Sequence, residues 1–103
     1  MALIKFKSTV KVPKVVIIAC AIINAANTLG LTHDIVVTSG NDSKHKVGSK
    51  HYSDEALDIR TKNIAEPHKF ASTIRRRLGP DYDVILEDEE GPNEHLHCEF
   101  DPK

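Results

Sequence analysis

His51 and Asp58 lie on one segment of the chain, Ser49 to Asp58, and Glu94, His95 and His97 lie on a second, near the C-terminus. Imidazole and carboxylate are the donors a catalytic zinc takes, typically three from the protein with one position left for water or substrate. His51, Asp58 and His97 meet that count. Glu94 is placed to act as a general base beside the metal. His95 shares a strand face with His97 and is suited to hydrogen-bond an oxyanion or orient a water. Ser49 has no Ser-His-Asp surroundings, so hydrogen bonding to a ligand or substrate suits it better than nucleophilic attack. His45 stands in a polar loop nearby and is a candidate substrate contact.

Two segments so far apart can share a site only if a scaffold brings them together. The last strand carries the clearest pattern. His95 to Phe100 alternates with period two, so His95, His97 and Glu99 face one way and Leu96, Cys98 and Phe100 the other. The apolar set belongs to the core, which leaves the histidines on the opposite face of a sheet, toward a cleft. Strict alternation would turn Glu94 away from His97, so Glu94 is expected in a turn.

The remaining elements follow in order. Met1 to Val12 reads as a short strand or extended arm, and Pro13 suits the first turn of a helix over Val15 to Leu29, with Gly30 as its stop. That helix is apolar over most of its circumference, which predicts burial. Asp34 to Thr38 is β-branched and reads as a strand, Asn41 to Gly48 as a surface loop, and Ala56, Leu57 and Ile59 as a strand that carries Asp58. Glu66-Pro67 opens a second helix through Leu78, with Phe70, Ile74 and Leu78 on one face. The Arg75 to Arg77 run suits the negative end of that helix and reads as solvated. Gly79-Pro80 ends it. Tyr82 to Leu86 is a strand, and Asp88 to Asn93 an acidic turn. The sum is an α+β fold: a single small domain over 1–103, an antiparallel sheet with helices packed on one side.

Composition narrows the function classes. A chain of 103 residues with 40% hydrophobic and 28% charged residues is ordinary for one globular domain. A formal net charge of −1 gives no electrostatic ground for binding nucleic acid. Two cysteines, Cys20 and Cys98, make no disulfide framework and are expected as small buried hydrophobes. Lys5, Lys7, Lys11 and Lys14 before the apolar run Val15 to Ile23 mimic a secretory signal, but the run is too short to span a bilayer and is read as helix.

The motifs also resemble a known family. Ser49-x-His51-x-x-x-x-Ala56-x-Asp58 is similar to the Ser-x-His-x-x-Gly-x-Ala-x-Asp signature of zinc D,D-carboxypeptidases and L-alanyl-D-glutamate peptidases. Glu94-x-x-His97 resembles that family's second motif, and Thr38-Ser39-Gly40 its preceding Ser-Gly. The resemblance runs from about Asp34 onward and implies the fold shared by Hedgehog signalling domains and D,D-peptidases. It implies His51, Asp58 and His97 as ligands of Zn2+ and Glu94 as catalytic base. The implied substrate is a peptidoglycan stem peptide, cut by a monomeric, phage-type lytic enzyme that stays cytoplasmic until released to the cell wall, with no nucleic-acid or membrane partner. Two positions depart from the pattern: Asp54 stands where the signature has Gly, and Asp42 lies where the family places an Arg. These departures favour the alternative, a non-catalytic zinc-containing binding or virion structural module of the same fold.

Overall fold

The computed structural model describes residues 14–39 and 55–102. Two helices and a four-stranded sheet follow in the order α1 (Lys14–Thr28), β1 (Val37–Ser39), β2 (Ala56–Arg60), α2 (Pro67–Leu78), β3 (Tyr82–Glu87) and β4 (His95–Phe100). The sheet order is β1-β2-β4-β3, and every neighbouring pair is antiparallel. The last strand in sequence therefore sits inside the sheet, between β2 and β3. That placement brings the segment around Asp58 beside the segment around His97.

Register decides which side chains are buried. Leu57 pairs with Cys98 and Cys98 with Val84, while Ile59 pairs with Leu96. All five are buried and share one face of the sheet. Both helices cover that face: Ile18, Ile22 and Ala25 of α1 and Phe70, Ala71 and Ile74 of α2 join the same core. Burying a side chain such as Ile18, Phe70 or Ile74 stabilises by about 1.5–3 kcal/mol each relative to exposure. Among the described residues, the fold is thus a helix layer on one side of an antiparallel sheet.

The helices end where the glycines put them. Gly30 has φ 68. Its N–H donates to the Asn27 carbonyl at 3.2 Å, and the Leu31 N–H to the Ala26 carbonyl at 3.0 Å. These are the two bonds that close a helix over a left-handed residue. At the end of α2, Gly79 has φ 87 and donates to the Arg75 carbonyl at 2.9 Å.

Four expectations need correction. The helix α1 is apolar on nearly every side yet covered on only one, with Val16 46% and Ile23 54% exposed. Cys20 shares that outer side and is exposed, whereas Cys98 is buried as expected. The first strand is shorter and later than the β-branched run suggests, covering Val37–Ser39 and carrying an irregularity in register against β2. The arginines of α2 are not simply solvated. Arg75 donates twice to the Val84 carbonyl, from Nε at 3.0 Å and from a terminal nitrogen at 2.7 Å, tying α2 to β3. Arg77 donates to the Thr28 hydroxyl at 2.9 Å, tying α2 to α1. Among the described residues, no helix is long and apolar enough to cross a membrane.

Candidate active site on the open sheet face

The same alternation that buries Leu96 and Cys98 sends His95, His97 and Glu99 to the face of β4 opposite the helices. Asp58 of β2 is the direct cross-strand partner of His97. Its Oδ1 lies 2.8 Å from His97 Nδ1. On the ring's other side, Nε2 lies 2.8 Å from Glu99 Oε1, two residues along the same strand. An imidazole held between two carboxylates is stabilised as the cation. The hydrogen bond to Asp58 raises its pKa first, burial opposes, Glu99 raises it further, and the net is a value pushed up to about 9.

His95 is oriented differently. Its Nδ1 faces the Asn93 carbonyl at 2.7 Å, which can only accept, so Nδ1 carries the proton. Nε2 then faces Glu87 Oε1 at 3.0 Å. Burial pulls the His95 pKa down, but the Asn93 carbonyl and the charges of Asp58 and Glu87 outweigh it, and the net shift is upward.

Glu94 sits in the turn before β4, as alternation required. The turn is shaped by Asp88 and Glu90, both at positive φ, and closed by the Gly91 N–H on the Asp88 carbonyl at 2.8 Å. A contact between His68 and Glu89 ties it to α2. Both oxygens of Glu94 accept: Oε1 from the buried Thr61 hydroxyl and Oε2 from the Glu90 N–H at 2.8 Å. The Thr61 hydrogen bond, then the Glu90 N–H, hold its carboxyl below the ordinary range, so it is ionised at neutral pH. A carboxylate has about four acceptor positions, so two donors leave room for a third.

Asp58, Glu94 and His95 line one depression. A cleft of about 340 Å³ has Asp58, Arg60, Lys62, Asn93, Glu94 and His95 on its walls. His97 stands behind Asp58, outside that lining. His51, Ser49 and His45 lie outside the described residues, as do Asp42 and Asp54. The structure thus brings together Asp58, His97, Glu94 and His95 of the expected set. Sequence reasoning missed Thr61, Glu87 and Arg60. Only Glu99 carried a signal, its shared period with His97.

Asp58 Oδ1 and His97 Nδ1, 2.8 Å apart, are oxygen and nitrogen donors of the kind zinc takes. Glu99 behind Nε2 is the carboxylate–histidine arrangement that fixes a ligand imidazole with its other nitrogen toward the metal. A second grouping also includes Asp58: it offers ligand atoms with Glu87 and His95 that all lie within 4.8 Å of one another. That grouping has two carboxylates and one imidazole, and only Asp58 and His95 of it reach the cleft wall.

In the metal-free protein the His97 cation carries a pH dependence. Its folded pKa is raised from 6.5 to about 9. The stabilisation is therefore complete below pH 6.5 and is lost as pH rises through 9. The full shift corresponds to roughly 3 kcal/mol. Chemical denaturation of the apoprotein across that window is expected to show the fall, and His97→Gln to flatten it.

No protein-family model, no curated protein and no solved structure matches this chain.

Proposed function

We propose that the chain is a zinc-dependent metallopeptidase that hydrolyses a peptide bond in the stem peptides of bacterial peptidoglycan, of the D-Ala–D-Ala carboxypeptidase or L-Ala–D-Glu endopeptidase type. The observation that carries this reading is the Asp58–His97 pair, joined across two strands and backed by Glu99, with Glu94 among the residues lining the cleft that Asp58 also lines. His51, Asp58 and His97 would hold the ion. Zinc, when bound, makes a coordinated water more acidic and polarises a carbonyl. Glu94, ionised and pinned by Thr61 and the Glu90 N–H, accepts the proton from the attacking water and passes it to the leaving amine. Its depressed pKa makes it a weak base in isolation, so it serves only where the water is already acidified. His95, its Nδ1–H held by the Asn93 carbonyl, would steady the carbonyl oxygen as an imidazolium, through an Nε2–H turned away from Glu87. Such an enzyme acts at the cell wall after release, which suits a phage-type lytic role.

A second reading is a zinc-containing binding or virion structural module without turnover. It is favoured by the two donors already on Glu94 and by Asp54 and Asp42 in place of the signature's Gly and Arg. The test is metal analysis of the purified protein followed by incubation with stem peptides, with and without a chelator. Zinc-dependent release of defined fragments supports the peptidase. One zinc per chain with intact peptides supports the module.

A further inference from the structure

The cleft wall holds a cation that has no part in the mechanism above and no ion-pair partner among the described residues. Arg60 follows Asp58 by two residues on β2 and so shares its face, about 7 Å along the strand. It is the cross-strand partner of His95. Arg60 is half-buried and lines the cleft with Lys62, yet among the described residues its guanidinium has no hydrogen-bond or ion-pair partner. The arginines of α2 are placed otherwise: Arg75, Arg76 and Arg77 each donate to an acceptor of the protein. A guanidinium presents a rigid planar fork that matches a carboxylate bidentately.

Resting on the peptidase reading, we propose that Arg60, assisted by Lys62, binds a carboxylate of the substrate, carried by the residue on the leaving side of the scissile bond. With the reacting carbonyl over Asp58 and Glu94, a group one residue downstream falls within reach of the Arg60 side chain. The carboxylate has two possible sources, a free chain terminus or an acidic side chain. A terminal carboxylate makes the protein a carboxypeptidase, and an internal one makes it an endopeptidase. Lys62 is exposed at the rim and adds charge without a fixed geometry.

The test measures binding by calorimetry to zinc-loaded Glu94→Gln protein, which removes turnover from the readout. Three stem-peptide fragments are compared: one ending in a free D-alanine carboxylate, the same fragment amidated, and an amidated fragment with D-glutamate after the scissile bond. One of the two carboxylate peptides is expected to bind roughly 10–100-fold tighter than the plain amide. Which one does so names the source. Adding Arg60→Gln is expected to erase that preference, Arg60→Lys to restore part of it, and Lys62→Gln to reduce it less. An unchanged preference in Arg60→Gln overturns the proposal, as does equal or absent binding of all three peptides. Failure of the peptidase reading is seen separately, as wild-type protein that leaves every peptide intact.

Discussion

Glu94→Gln is expected to lower stem-peptide hydrolysis by about 10²–10⁴-fold while the zinc content stays that of the parent. The substitution keeps size and shape but removes the charge that accepts a proton. It also removes one acceptor. A carboxylate receives both the Thr61 hydroxyl and the Glu90 N–H, whereas an amide offers its oxygen to one and turns its NH2 toward the other. Slight loosening of the turn before β4 should accompany the loss of rate. Because Glu94 belongs to neither pair of metal donors, metal analysis separates the two effects. A rate within a fewfold of the parent would remove Glu94 from the mechanism. Loss of zinc would move it into the ligand set.

The second large effect belongs to His97. His97→Ala is expected to weaken zinc binding by about 10²–10³-fold, since one ligand's share of a structural-class zinc affinity of 10–16 kcal/mol is roughly 3–4 kcal/mol. Two comparisons make the result specific. Glu99→Gln should cost less, about 10–100-fold, because Glu99 only orients the imidazole through Nε2. His95→Ala should leave the metal in place and reduce turnover. If zinc instead leaves with His95 and stays with His97 gone, the ion sits among Asp58, Glu87 and His95. Competition titrations with a chelating dye read all three variants on one scale. Zinc must also displace the His97 proton, so its affinity should rise with pH through the neutral range.

The legible part of this chain was the part written in short periods. Alternation along His95 to Phe100 placed Leu96 and Cys98 in the core and the histidines on the open face. Gly30 and Gly79 marked the helix ends because left-handed backbone favours glycine. What could not be read were facts about partners. Hydropathy showed that α1 is apolar over most of its circumference, but it cannot say that only one side meets the sheet, so the exposure of Val16, Cys20 and Ile23 was hidden. Glu87 reaches His95 only because of the register across the β3–β4 turn, and no residue pattern sets that register in advance. Thr61 holds Glu94 from beyond the end of β2, a contact spanning 33 positions. Arg60 was invisible for a related reason: a cation without a hydrogen-bond or ion-pair partner among the described residues is recognised only after its neighbours are placed. The first motif's His51 and Ser49 lie outside the described residues.

The central claim is metal-dependent cleavage by this one site, and the most direct measurement is mass analysis of stem peptides incubated with the zinc-loaded protein, the chelated protein and the chelated protein resupplied with zinc. The expected result is one zinc per chain, a single cut next to a D-amino acid, loss of the cut on chelation and its return with zinc. Intact peptides in all three incubations, with zinc fully bound in the first, would contradict it.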